Sequence, residues 1–430
     1  MKKIKLVQAI LATLVAMPMV AMASEAELMQ RLEQLSAELD KVKAELAATR
    51  QKTETVEKRQ EAATAVAATA TGSVESAPGG PQTVVSSYGE INFNRPVHDA
   101  SQSQADVARA VIAIEHRFDD KTKMVSEFEW EHAVASKDDN GEAEVEQLYV
   151  EREFNHGLRA KAGLFLIPAG LLNTNHEPTA YYGVERNFVE TAIIPSTWRE
   201  VGLGLSSTLD NGLSWDVGLT TGFDLTKWDA TSEEGRESPL GSIHQEGQLA
   251  KSRNLSVHGA LNWRGVPGLL LGGSVFTGKV GHATAGFAAP DSRLSLWDLH
   301  ARYNPGRWDL SAVYARGTIS DTDALNLTFV GEPTPVPSSF DGWYGQAAYQ
   351  AWKSGDYTLT PFIRYEQFNT AKSYSTVPAG LGAETGPDQK VATLGANLRV
   401  GEGVVLKADY QKFKEDSPRD RVNLGVGYAF

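Results

Sequence analysis

From residue 84 onward, apolar and polar residues alternate with a period of two, in segments of roughly ten residues separated by turns. In Gly306–Gly317, Trp308, Leu310, Ala312 and Tyr314 share one face, and Arg307, Asp309 and Ser311 share the other. In Ser292–Asn304, Trp297, Leu299, Ala301 and Tyr303 oppose Asp298, His300 and Arg302. In Arg419–Phe430, Val422, Leu424, Val426, Tyr428 and Phe430 oppose Arg421, Asn423, Gly425 and Gly427. A strand sends successive side chains to opposite faces, so each segment has one oily and one wet face. The oily face carries aromatics near its ends, and the wet face is often charged. That pattern predicts strands with lipid outside and water inside.

The connections support the same reading. Short turns with Gly, Asn or Asp fall at 119–120, 155–157, 210–212, 265–266, 304–306, 354–355 and 401–402. Longer polar loops fall near 95–105, 135–142, 168–198, 224–251, 280–291, 318–339, 370–387 and 415–419. The two kinds alternate strictly, and seven turns with eight loops predict sixteen strands. The expected fold is all-β: a 16-stranded antiparallel transmembrane β-barrel over residues 84–430. A mean hydropathy of −0.30 excludes a bundle of membrane helices but not a barrel, in which only every second strand residue must be apolar.

Ahead of the barrel, three segments are expected. Lys2, Lys3 and Lys5, an apolar run from Leu6 to about Val20, and Ala21-Met22-Ala23 read as a signal peptide over residues 1–23. Residues 24–61 read as an α-helical coiled coil. Leu28, Leu32, Leu35, Leu39, Val42 and Leu46 form a heptad seam, and Glu38–Lys43, Glu45–Arg50 and Lys52–Glu57 pair opposite charges as parallel self-association requires. Residues 62–83, rich in Ala, Thr, Ser, Gly and Pro, read as a flexible linker. The turn order puts both barrel ends on the periplasmic side, with the coil in the periplasm and the barrel in the bacterial outer membrane. The ending Tyr428-Ala429-Phe430 leaves an aromatic on the oily face. Such an ending resembles the signal read by outer-membrane barrel-assembly machinery, which makes that machinery and outer-membrane lipid expected partners.

A barrel of sixteen strands is wide enough for an aqueous channel. The longest connection without strand character, 168–198, carries Leu171, Leu172, Tyr181, Tyr182, Val184, Phe188, Ile193 and Ile194. These apolar residues need burial, which predicts that the loop folds into the lumen and narrows it. Arg159, Lys161 and Arg199 flank it, and Glu185, Arg186 and Glu190 lie within it. These six are the expected constriction and selectivity residues, since ion preference follows charge at the narrowest point.

Gly163-Leu164-Phe165-Leu166-Ile167-Pro168, Asn175-His176-Glu177-Pro178, Gly183-Val184-Glu185-Arg186-Asn187-Phe188 and Pro195-Ser196-Thr197-Trp198-Arg199-Glu200-Val201-Gly202 together resemble the phosphate-selective porin O and P family. Tyr88-Gly89-Glu90, Arg117-Phe118-Asp119-Asp120 and the coil agree with it. The resemblance implies a sixteen-stranded homotrimeric porin. Phosphate-specific members stack arginines along the lumen and place lysines at the constriction. Here the loop holds no Lys and only Arg186, against Glu177, Glu185 and Glu190.

The expected function is therefore a water-filled channel for small hydrophilic solutes and ions, with an anion- or phosphate-preferring porin as the nearer alternative. A structural outer-membrane tether acting through the coil is the alternative of another class. No enzyme, cofactor or metal is expected. With no cysteine there is no thiolate nucleophile or thiolate metal site, and the nine histidines fall in no nucleophile setting. Glu127 and Glu129 share a strand face and read as solvated wall rather than a cation site. A net charge of −13 argues against nucleic acid.

Overall fold

A computed structural model describes residues 81–430 apart from Ala379. The expected signal peptide, the coiled coil with its seam Leu28, Leu32, Leu35, Leu39, Val42 and Leu46, and nearly all of the linker lie outside the described residues. Each alternating segment becomes one stave of a closed sheet. The first eight are β1 (Gln82–Pro96), β2 (Gln104–Arg117), β3 (Thr122–Glu131), β4 (Ala143–Glu153), β5 (Arg159–Leu166), β6 (Arg199–Thr208), β7 (Leu213–Thr220) and β8 (Ser256–Trp263). The others are β9 (Leu269–Lys279), β10 (Arg293–Tyr303), β11 (Trp308–Ile319), β12 (Ser339–Tyr349), β13 (Tyr357–Ser373), β14 (Gln389–Val400), β15 (Val404–Phe413) and β16 (Arg421–Ala429). A short piece, Trp352–Ser354, pairs with β13 in line with β12 and completes that stave, so the staves number sixteen. β1 begins at Gln82, two residues before the expected start.

Every neighbouring pair is antiparallel, and the ring closes where β1 pairs with β16, from Tyr88↔Ala429 to Pro96↔Arg421. Ser87 and Phe430 exchange both backbone hydrogen bonds, at 3.0 and 2.9 Å, which carries the seam to the last residue. Closure leaves no unpaired edge.

The outer face is apolar. On β16, Val422, Leu424, Val426 and Tyr428 point outward while Asn423 is fully buried on the inner face. Phe118, Phe154, Tyr303, Trp308, Trp352, Tyr357 and Phe430 are exposed beside the short turns and form a girdle at that end. Trp308 packs on Tyr349 with ring centroids 4.8 Å apart.

The inner face differs from the sequence expectation in one respect. On β9 to β15 it is largely apolar toward the loops, where Phe276, Leu294, Leu296, Val313, Ile319, Phe340, Phe368, Val391 and Phe413 are inward and buried. Their partners come from loops expected to be polar. The 221–255 loop contributes Phe223, Leu225, Trp228, Leu240 and Ile243, and the 320–338 loop contributes Leu325 and Val336. The Trp228 indole donates to the Thr334 carbonyl at 2.9 Å, and the Thr334 amide donates to the Ala230 carbonyl at 3.0 Å. Burying a Phe, Leu or Ile side chain stabilises by about 1.5–3 kcal/mol. These loops therefore build a hydrophobic core of their own at one mouth of the barrel.

Candidate functional site

The segment between β5 and β6, residues 167–198, lies inside the ring. Asn173 clasps its two ends. Its amide nitrogen donates to the carbonyls of Ile167 and Trp198, and its oxygen accepts from the Trp198 amide. From there the segment reaches strands far from its own. Tyr181 donates to Glu90 on β1 at 2.6 Å, and Tyr182 to Asp309 on β11 at 3.2 Å. The amide of Val184 donates to Asp409 on β15, and that of Phe188 to Glu366 on β13, each at 2.6 Å. Arg364 and Asn397 donate back to backbone carbonyls of Tyr182 and Tyr181. An irregular backbone inside a barrel needs such partners, because its own amides and carbonyls have no ladder.

Glu190 is the hub of this segment. It accepts from the amides of Leu171 and Leu172 at 2.5 and 2.8 Å, from Asn187 at 2.9 Å and from Tyr344 on β12 at 3.0 Å. Burial pushes its carboxyl above the ordinary range, and the four donors oppose that push. Gly170 makes the approach possible: its backbone is left-handed, at φ 66°, and a Cβ there would collide with Glu190 Oε1.

The other expected constriction residues are tied down as well. Arg186 is buried and donates to Ser196 Oγ and the His176 carbonyl. Glu185 accepts from Asn94 at 2.9 Å. Arg199, 2% exposed, is paired with Glu144 and with Glu246 at 3.1 Å. Lys161 pairs with Asp216 at 3.1 Å and lies over the Phe165 ring at 4.3 Å. Arg159 is half-buried on the inner wall near the short turns. The structure thus gathers Glu185, Arg186 and Glu190 within the inserted segment, and leaves Arg159, Lys161 and Arg199 on the wall beside it.

The more accessible inward charges sit toward the short turns. Glu115 accepts from Lys123 at 2.9 Å with both side chains about one-third exposed, and Arg302 pairs twice with Asp309. This end of the lumen mixes both signs.

Glu127 and Glu129, expected as solvated wall, are instead buried in a cluster deeper in the wall. Tyr88 on β1, Glu127 and Glu129 on β3, Glu146 on β4 and His176 of the inserted segment meet there, all buried. Alternation from Leu148 and Val150 would put Glu146 outside. A β-bulge reverses this: Glu127 pairs with Gln147 and Phe128 with Val145, so Glu146 is the extra residue and turns inward. The bulge has no signature in the local sequence, which is why the inward Glu146 was not legible and Glu127 and Glu129 were seen as a pair alone.

No family model matches the chain. A protein of Aquifex aeolicus (strain VF5), described as uncharacterized, is 28% identical over 361 residues, covering 80% of this chain and 79% of the relative. Among solved structures, Salmonella typhi OmpF in complex with daunomycin superposes with a TM-score of 0.56 at 16% identity, covering 82% of this chain and 98% of that one. An anion-selective porin from Comamonas acidovorans gives 0.51 at 12% identity, covering 81% of this chain and 100% of that one. These likenesses reach the barrel fold of outer-membrane porins and no narrower group.

Proposed function

We propose that this protein is an outer-membrane porin, a channel through which small hydrophilic solutes and ions diffuse passively. The observation that carries this reading is the polarity of the closed ring, with an apolar outer wall and ionised side chains along the inner wall at the short-turn end. Only a lipid solvent favours that arrangement, and a ring of this size leaves room for water inside. The porin fold of the superposed structures supports it.

In this reading the 167–198 segment sets the bore. Arg186, Arg199 and Glu190 hold it in place, and the partly exposed Glu115, Lys123, Arg302 and Asp309 supply the field that ions meet. Because both signs are present, selectivity is weak. The resemblance to phosphate-selective porins would add anion preference, but the more accessible basic residues Lys123 and Arg302 are each paired with a carboxylate. The parallel charge pairing of the N-terminal heptads, together with that resemblance, favours a homotrimer.

Single-channel recording of the purified protein in a planar bilayer under a salt gradient tests this. We expect stepwise openings in groups of three and a reversal potential near zero. Silence from folded, heat-modifiable protein would refute the channel. A large potential of either sign would refute the mixed lumen.

A further inference from the structure

We propose that Glu127, Glu146 and the Nε2 of His176 form a binding site for a divalent first-row transition-metal ion that staples the inserted segment to the barrel wall. One donor atom from each residue lies within 4.8 Å of the other two, and all three residues are buried. They come from β3, the bulge of β4 and the inserted segment, so an ion there would link two staves to the segment between β5 and β6.

The histidine is set for ligation. Its Nδ1 lies 3.0 Å from the Asn173 carbonyl oxygen, which can only accept, so Nδ1 carries the proton. In the neutral ring this leaves the Nε2 lone pair facing Glu146. A metal-bound histidine ordinarily gives its other N–H to a carbonyl in this way. Nε2 stands 2.9 Å from Glu146 Oε1, and Tyr88 Oη stands 2.7 Å from Nε2.

A second, independent observation points to a cation. Glu146 Oε1 belongs to a residue with no exposure and faces the cluster; its near polar neighbour is His176 Nε2, at 2.9 Å, which in the Nδ1-protonated neutral ring has no proton to give it. Both oxygens of neighbouring Glu129, 1% exposed, are likewise without a donor, and its ion pair with Arg109 is a long 3.5 Å. Arg109 is closer to Glu90, at 2.8 Å. Among the described residues neither Glu127 nor Glu146 has a Lys or Arg ion pair, and with His176 neutral its contact with Glu146 carries no positive charge. Buried carboxylates need a compensating charge. A divalent ion supplies it, and one imidazole with two carboxylates suits Zn²⁺, Mn²⁺ or Fe²⁺ better than the all-oxygen sites of Ca²⁺ or Mg²⁺.

The test uses the full-length folded protein, stripped with chelator, dialysed against Zn²⁺ alone and analysed for metal. We expect about one ion per chain, as a single three-residue site requires. The near-isosteric Glu127→Gln and His176→Gln should each weaken binding by on the order of 10–100-fold or more. Asp138→Asn, in an exposed loop, should not. Heat-modifiable migration reports whether each variant is folded. If the variants do not fold, Co²⁺ loaded into the unaltered protein gives a second readout: a visible spectrum with nitrogen and oxygen ligation, abolished by Zn²⁺. Zinc content far below one per chain, binding unchanged in both folded variants, or no zinc-displaceable cobalt spectrum would each overturn the proposal. Metal content is read whether or not the barrel conducts, so this site and the channel stand or fall separately.

Discussion

Asp224 opens the 221–255 loop as the cap of a short 3-10 turn. It accepts from the Thr226 amide and hydroxyl at 3.1 and 2.7 Å and pairs with Lys251 at 2.8 Å. Partial burial alone would raise its carboxyl, but Lys251 and Thr226 overcome this and hold it below the ordinary range. Its contribution to the loop is therefore present above the ordinary Asp range, and is lost as pH falls through the depressed value. Hydrogen exchange of the 224–251 peptides should quicken on that acid side, and Asp224→Asn should flatten the dependence. The outer wall gives a different residue-scale expectation. Leu203, midway along β6, is 63% exposed. Leu203→Lys should destabilise the barrel in lipid vesicles by about 2–4 kcal/mol, measured by reversible urea unfolding. If the cost is near zero, that face is not in lipid. Leu203 was legible as an outward residue from alternation alone. Glu190 was legible only as a charge in a loop, because its four partners come from backbone geometry and from a strand over 150 positions away.

At the scale of the element, strand count and connection order were readable because the side-chain period of a strand is fixed at two, whatever its surroundings. Two things were not readable, for the same reason. One is the apolar inner face near the loops: Leu294 and Leu296 lie on the same face as Asp298 and His300, and the loop-built core they share explains them. The other is the bulge at Glu146. Deleting Glu146 removes the extra residue without moving Val145 or Leu148 off the outer face, because Gln147 then stands alone between them. The deleted protein should still assemble into a heat-modifiable barrel. It should lose the proposed metal site as completely as His176→Gln. Failure to assemble would mean that the bulge shapes the wall as well as aiming a side chain.

For the molecule as a whole, the inserted segment couples distant staves. Val184 to Asp409, Phe188 to Glu366 and Tyr181 to Glu90 tie residues about 90 to 225 positions apart. Such contacts form late, after most loop-closure entropy has been spent, so this barrel should fold slowly for its size. The seam between β1 and β16 has a further consequence. With Ser87 and Phe430 joined by two hydrogen bonds, the sheet is a closed ring in which the first and last staves are neighbours like any other pair. A circular permutant joining Phe430 to Pro81 by a short linker, and opened inside the exposed 132–142 loop, should recover the same barrel and the same conductance. It would present its new ends at the opposite mouth. A tag placed there would then report, from outside an intact cell, which way the protein faces.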